Sequence, residues 1–177
     1  MKLIGRFLDI IIRYSILLIL AIPNLWIFYF IFTPITIYPI YFLLNIMFDV
    51  SLIGRTIVIG NLSINFINAC IAGSAYYLLL IFNLSLPNIK FPKRIKMIFF
   101  AFGVFLIVNL IRIFLLSLLA ISGSSYFDIT HSIFWHLIST VFVIGIWFTE
   151  VKLFNIKDVP VYSDMKFLYN KSSLKRK

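Results

Sequence analysis

Five stretches of this chain are too apolar, and too poor in charge, to lie on the surface of a water-soluble fold. Residues 14–32, 34–48 and 69–86 carry no charged side chain. Residues 97–121 hold only Arg112, and 129–148 only His131 and His136. A transmembrane helix needs about 20 mostly apolar residues, and four of the runs approach or pass that length. The fifth, 34–48, is short and contains Pro34 and Pro39, while Pro23 and Asn24 interrupt the first. Composition agrees. The chain is 62% hydrophobic and 12% charged, whereas soluble domains are about 25% charged. We therefore expect an all-α polytopic membrane protein with four to five transmembrane helices. Residues 1–154 would form a single transmembrane domain and 155–177 a basic cytoplasmic tail.

The net charge of +10 would suit nucleic acid if it were spread over a soluble surface. It is instead concentrated in short clusters between apolar runs, the pattern of the positive-inside rule. No nucleic-acid partner is expected. The loop 88–96 (NIKFPKRIK) holds Lys90, Lys93, Arg94 and Lys96 without an acid. The tail carries Lys152, Lys157, Lys166, Lys171, Lys175, Arg176 and Lys177. The segment 122–130 (SGSSYFDIT) has no cation and one acid, Asp128. Loop 88–96 and the tail are thus expected in the cytoplasm, with 122–130 and 49–68 outside. The N-terminus is ambiguous. Lys2, Arg6 and Arg13 argue for an inside start, but if both 14–32 and 34–48 cross, parity puts it outside. If 34–48 is re-entrant or interfacial, it begins inside. No cleavable signal peptide is evident.

Within the outer segment, residues 55–67 (RTIVIGNLSINFI) place Gly60-Asn61 between two runs rich in β-branched residues. That pattern suits a short hairpin-like segment, or else an irregular loop. A hairpin would have to stay out of the hydrocarbon, where open sheet edges go unsatisfied.

Three side chains carry the chemistry. Arg112 lies inside an apolar run, where an ionised group costs roughly 2.5–3.5 kcal/mol to insert. Its Cα would lie roughly 14 Å below Ile121, so it either serves a function or snorkels to the interface. Cys70, the single cysteine, opens the run 69–86. It is either a small packing residue or a nucleophile. Ala69 and Gly73 beside it form a small-xxx-small pair that permits close helix approach. His131 opens the run 129–148 and is either interfacial or an acid–base group. His136, five residues on, falls on a different helix face, so the pair is a poor metal site, and no cofactor or metal is expected. The outer ends of the runs bring Cys70, Arg112 and His131 to one depth if the helices pack together. The set then supplies a nucleophile, a cation for a developing oxyanion and a proton carrier.

The order Ala69-Cys70-x-x-Gly73, Asn109-x-x-Arg112, then His131 resembles the exosortase/archaeosortase family, and the chain's small size resembles that family's minimal archaeal members, the pacearchaeosortases. The resemblance covers roughly residues 34–148. It implies a membrane cysteine peptidase or transpeptidase whose catalytic residues are Cys70, Arg112 and His131. Its partners would be secreted proteins with a C-terminal sorting signal, made of a short motif, an apolar helix and a basic end. The acceptor would be a membrane lipid amine or water. The resemblance further implies that 34–48 crosses the membrane. Two departures bear on substrate preference. Ile71, Ala72 and Gly73 stand where the family often has Ser then Gly after the Cys, and Trp135-His136 where it often has Gly-Trp after the His. The rival class is a non-enzymatic membrane protein, a small transporter subunit or scaffold that binds an anion at Arg112 and uses Cys70 only for packing.

Overall fold

The structure is a computed structural model, and it describes residues 2–124, 126–133 and 139–171. The fold is mostly helical: α1 (Lys2–Ala21), α2 (Trp26–Met47), a three-stranded sheet, α3 (Asn68–Ile71), α4 (Gly73–Leu84), α5 (Phe91–Ile121), α6 (Phe127–Ile133), α7 (Ser139–Leu153) and α8 (Tyr162–Lys171). Two helices, α2 and α5, are long and apolar enough to cross a membrane, and residues 68–84 form a shorter apolar helical stretch.

The first apolar run is not one helix. Asn24 and Leu25 adopt left-handed backbone with φ of 49° and 58°, and this bend beside Pro23 ends α1 at Ala21. The helix that follows then runs unbroken through Pro34 and Pro39. Each proline removes one helical hydrogen bond, yet the apolar surroundings leave the backbone no better alternative than helix.

Side-chain contacts order the helices along a common direction. Arg13 reaches the carbonyls of Leu84 and Leu86 at the C-terminal end of α4. One turn later in α1, the Tyr77 hydroxyl donates to Leu17 O at 3.0 Å, so α1 runs antiparallel to α4. Past the bend, Phe28 meets Tyr77 and Phe102. From there α2 climbs past Phe32–Tyr76 toward α3 and the sheet. Helices α1 and α2 therefore travel the same way. Helix α5 begins where Arg94 meets Leu84 O and ends beyond Asn109, beside Cys70. Helix α7 returns, bringing Trp147 to Phe82, Glu150 to Asn83, and Phe154 O to Lys93. The bundle thus has a basic end, where α1 and α5 start and α4 and α7 finish, and an opposite end carrying the sheet.

That sheet is larger than the single hairpin the sequence suggests. β1 (Val50–Ile53), β2 (Thr56–Ile59) and β3 (Leu62–Asn65) form an antiparallel meander in that order. Two-residue turns join them at Gly54-Arg55 and Gly60-Asn61, with both glycines at positive φ. Such turns need φ > 0 in their first position, which glycine adopts without steric cost. Val50, Ile57 and Phe66 pin the sheet to the bundle, with Ile57 fully buried.

The core is aromatic. Tyr76 stacks on Phe32 at 3.6 Å between centroids and meets Phe105 edge-on at 4.8 Å. The outside is equally apolar: Phe99 is 75% exposed, Ile22 74% and Ile46 67%. The buried set meanwhile includes Arg13, Asn83, Arg94, Asn109, Arg112, Glu150 and Asp164. An apolar exterior around a partly polar interior suits lipid better than water.

At the basic end the tail folds back. Asp164 of α8 is buried and pairs with Arg13 at 2.9 Å. The Arg6 guanidinium lies 4.1 Å over the Phe167 ring. Val161 N donates to Ser85 O. The described part of the tail is therefore bound to α1 and to the end of α4.

Candidate functional site

Cys70 sits on α3, a single helical turn set off from α4 by Ala72 in left-handed backbone (φ 56°, ψ 41°). The break takes α3 off the line of α4. Gly73 lets α2 close on this break. A Cβ on Gly73 would come within 2.8 Å of the Tyr29 ring, so no larger residue lets α2 approach this closely without a shift. The close approach expected of the Ala69/Gly73 pair therefore occurs, at Gly73, against an aromatic ring.

Helix α5 supports Cys70 from behind. Asn109 is 2% exposed, and its side-chain amide donates to Cys70 O at 3.0 Å. Arg112 lies three residues on, hence on the same helix face. It is 9% exposed, and it lines the same cavity as Cys70. Asn109 stands out in the sequence only as a motif position. Its task here is to hold the backbone of the cysteine turn in place.

His131 comes from α6. Its ring stacks on Phe127, with centroids 5.6 Å apart and planes within 7°. His136 and Trp135 lie outside the described residues. The run 129–148 that His131 is expected to open falls in part outside the described residues; within them, His131 lies on the helix Phe127–Ile133 and lines the cavity.

Cys70, Arg112 and His131 all line one cavity of about 550 Å³. One wall is the segment Leu62 to Ile67. A second is Ile113, Leu116, Ser117 and Ala120 of α5, and a third is Gly123, Ser124 and Phe127. The walls are largely apolar, and the polar groups converge from three separate elements, as in a small-molecule or peptide site. Neither the participation of Leu62 to Ile67 nor that of buried Ser117 is legible in the sequence, because nothing in the spacing says which side of a strand will meet α5. Among the described residues, no cluster of three His, Cys, Asp or Glu side chains could hold a metal.

Glu150 is the other notable buried group. It lies at the far end of α7, fully buried, and accepts from Asn83 Nδ2 at 3.0 Å. It belongs to the basic end and takes no part in the cavity.

No known protein family, curated protein or solved structure matches this chain.

Proposed function

We propose that the protein is a multi-pass membrane cysteine peptidase or transpeptidase of the exosortase/archaeosortase type, acting on the C-terminal sorting signals of secreted proteins. The observation that carries this reading is the convergence of Cys70, Arg112 and His131 on one cavity from α3, α5 and α6. A packing cysteine has no need of a buried arginine and a histidine lining the same cavity.

The helix directions favour four crossings: α1 with α2, then α3 with α4, then α5, then α6 with α7. The N-terminus then lies inside, as Lys2, Arg6 and Arg13 require, and the cavity faces outside. The parity conflict disappears on this reading because residues 14–32 are shared between α1 and α2, which together make one passage.

In the reaction, the Cys70 thiolate attacks the scissile carbonyl carbon, and the carbonyl π pair moves onto oxygen. The Arg112 guanidinium stabilises that oxyanion. When the tetrahedral centre collapses, the C–N bond breaks and His131 in its protonated form gives its proton to the departing amine. The apolar C-terminal helix leaves, and the secreted domain stays on Cys70 as a thioester. An acceptor amine of a membrane lipid, or water, then gives a proton to His131 and attacks the thioester, returning the thiolate.

The test is co-expression with a secreted protein from the same genome that ends in a short motif, an apolar helix and a basic stretch. Wild type should shorten or modify it, and Cys70→Ala should leave it full length. Normal processing by Cys70→Ala would sink the proposal. A membrane-impermeant thiol reagent separates the rival class. A nucleophilic Cys70 alkylates from outside and loses activity with the same time course, whereas a packing cysteine in an anion-binding scaffold stays unmodified.

A further inference from the structure

We infer that the substrate is held as an extended strand added to the free edge of β3, parallel to it, so that its scissile bond arrives at Cys70. This inference rests on the peptidase reading and specifies how that site takes its substrate.

All four residues of β3, Leu62 to Asn65, line the cavity, as do Phe66 and Ile67 that follow it. Side chains in a strand alternate between faces, so a cavity touching only one face would meet every second strand residue. Contact with all four points to the strand's edge, with its main chain, along the cavity. The sheet order is β1-β2-β3. One edge of β3 is therefore taken by β2, and no described strand pairs with the other.

The register identifies the groups on that second edge. Phe66 N donates to Arg55 O at 2.9 Å, and β3 pairs Ile64 with Ile57 and Leu62 with Ile59. Antiparallel ladders alternate bonded and non-bonded pairs. The bonded pairs are therefore Phe66/Arg55, Ile64/Ile57 and Leu62/Ile59. Ser63 and Asn65 fall between them and turn their N–H and C=O groups away from β2, into the gap facing α5. Both residues are exposed. An unpaired edge is a template for another strand, and peptide recognition by strand addition uses main-chain bonds that do not depend on side chains.

Direction follows from connectivity. β3 leads through Phe66 and Ile67 into α3 and Cys70. A substrate enters from the sheet end with its C-terminal apolar helix still in the bilayer. If it lies parallel to β3, the residues before the scissile bond run along the edge and the helix continues past Cys70 down the bundle. In the antiparallel arrangement the apolar helix would have to lie along the exposed main chain of Ser63 and Asn65, where it would leave those groups unsatisfied.

Proline removes a single N–H and is tolerated on edge strands. Asn65→Pro deletes an edge donor without touching the β2 ladder, and Asn65→Ala keeps the donor and removes only the side chain. With the secreted reporter described above, Asn65→Pro should process roughly 2- to 12-fold more slowly than Asn65→Ala, the range for one hydrogen bond. Alkylation of Cys70 by a methanethiosulfonate reagent should proceed at the wild-type rate in both, which shows that the site is folded. A second measurement does not depend on proline. In a Cys70→Ala, Asn65→Cys protein, single cysteines are placed in turn at positions before the reporter's scissile bond. Disulfides should form at alternate positions, with those formed by Ser63→Cys shifted toward the substrate's N-terminus. Equal processing by Asn65→Pro and Asn65→Ala, cross-linking without a two-residue period, or a shift in the opposite direction would overturn strand addition while leaving Cys70 as nucleophile. Unimpaired processing by Cys70→Ala would overturn the peptidase reading itself.

Discussion

The two ends of this bundle both bury arginines, and they use them differently. At the basic end Arg13 bonds Leu84 O at 2.6 Å and Leu86 O at 3.2 Å and pairs with Asp164 and Asp9. Arg94 bonds Leu84 O and Leu86 O, both at 2.9 Å. These carbonyls belong to the end of α4, where helix geometry leaves acceptors without partners and the helix dipole favours cations. The arginines there complete a helix terminus and bind the tail to it. At the sheet end Arg112 sits in the wall of a cavity with Cys70 and His131. A buried charge by itself therefore does not mark a site. A cation that shares open space with a cysteine and a histidine is the better candidate.

Emptying the sheet end puts this contrast under the greatest load. Cys70→Ala should reduce reporter processing at least about a thousandfold, to the detection limit, with the thermal midpoint in detergent unchanged. Arg112→Ala should come next, with processing down roughly 10²- to 10³-fold, the cost of losing an oxyanion partner. Arg112→Lys should recover only part of this, because an ammonium lacks the planar fork of guanidinium.

The basic end should respond in stability instead. Asp164→Asn removes one partner of a buried ion pair, which costs about 3 kcal/mol. For a chain of this size that lowers the midpoint by roughly 6–12 °C. Processing per folded molecule should stay at the wild-type level. A loss of processing with the midpoint intact would show that the tail communicates with the cavity and would erase the distinction.

A milder change probes the joint between the regions. Gly73→Ala forces a Cβ against the Tyr29 ring and should cost about 1–3 kcal/mol. The ring must move or α3 must shift with Cys70. Combining it with Tyr29→Ala should cost less than the sum of the single losses, measured by thermal unfolding. Additive losses would mean that α2 does not set the position of the cysteine turn.

Much of the site is legible in the sequence. Arg112 stands out because ionised groups in apolar runs are costly, and Cys70 and His131 because they flank apolar runs at matching ends. The sheet is half legible. Gly60-Asn61 signals a turn, whereas Gly54-Arg55 and the four residues of β1 give no such signal, because Val50 to Ile53 follow closely on an apolar helix with little break in hydropathy. The tail reads only as basic, since its cations outnumber its acids. No local signal could pair Asp164 with Arg13, at the opposite end of the chain.

Composition and spacing establish that most of this chain is apolar helix and that its cations cluster. They also single out one cysteine, one arginine within an apolar run and two histidines as the candidates for chemistry. Local physics reads these directly, residue by residue. Packing settles which of those residues share a cavity, that α1 and α2 run the same way past a left-handed bend, and that β3 lines the cavity holding Cys70. Each of these depends on contacts between elements distant in the chain, where side-chain fit and hydrogen-bond geometry choose among arrangements that periodicity leaves equal.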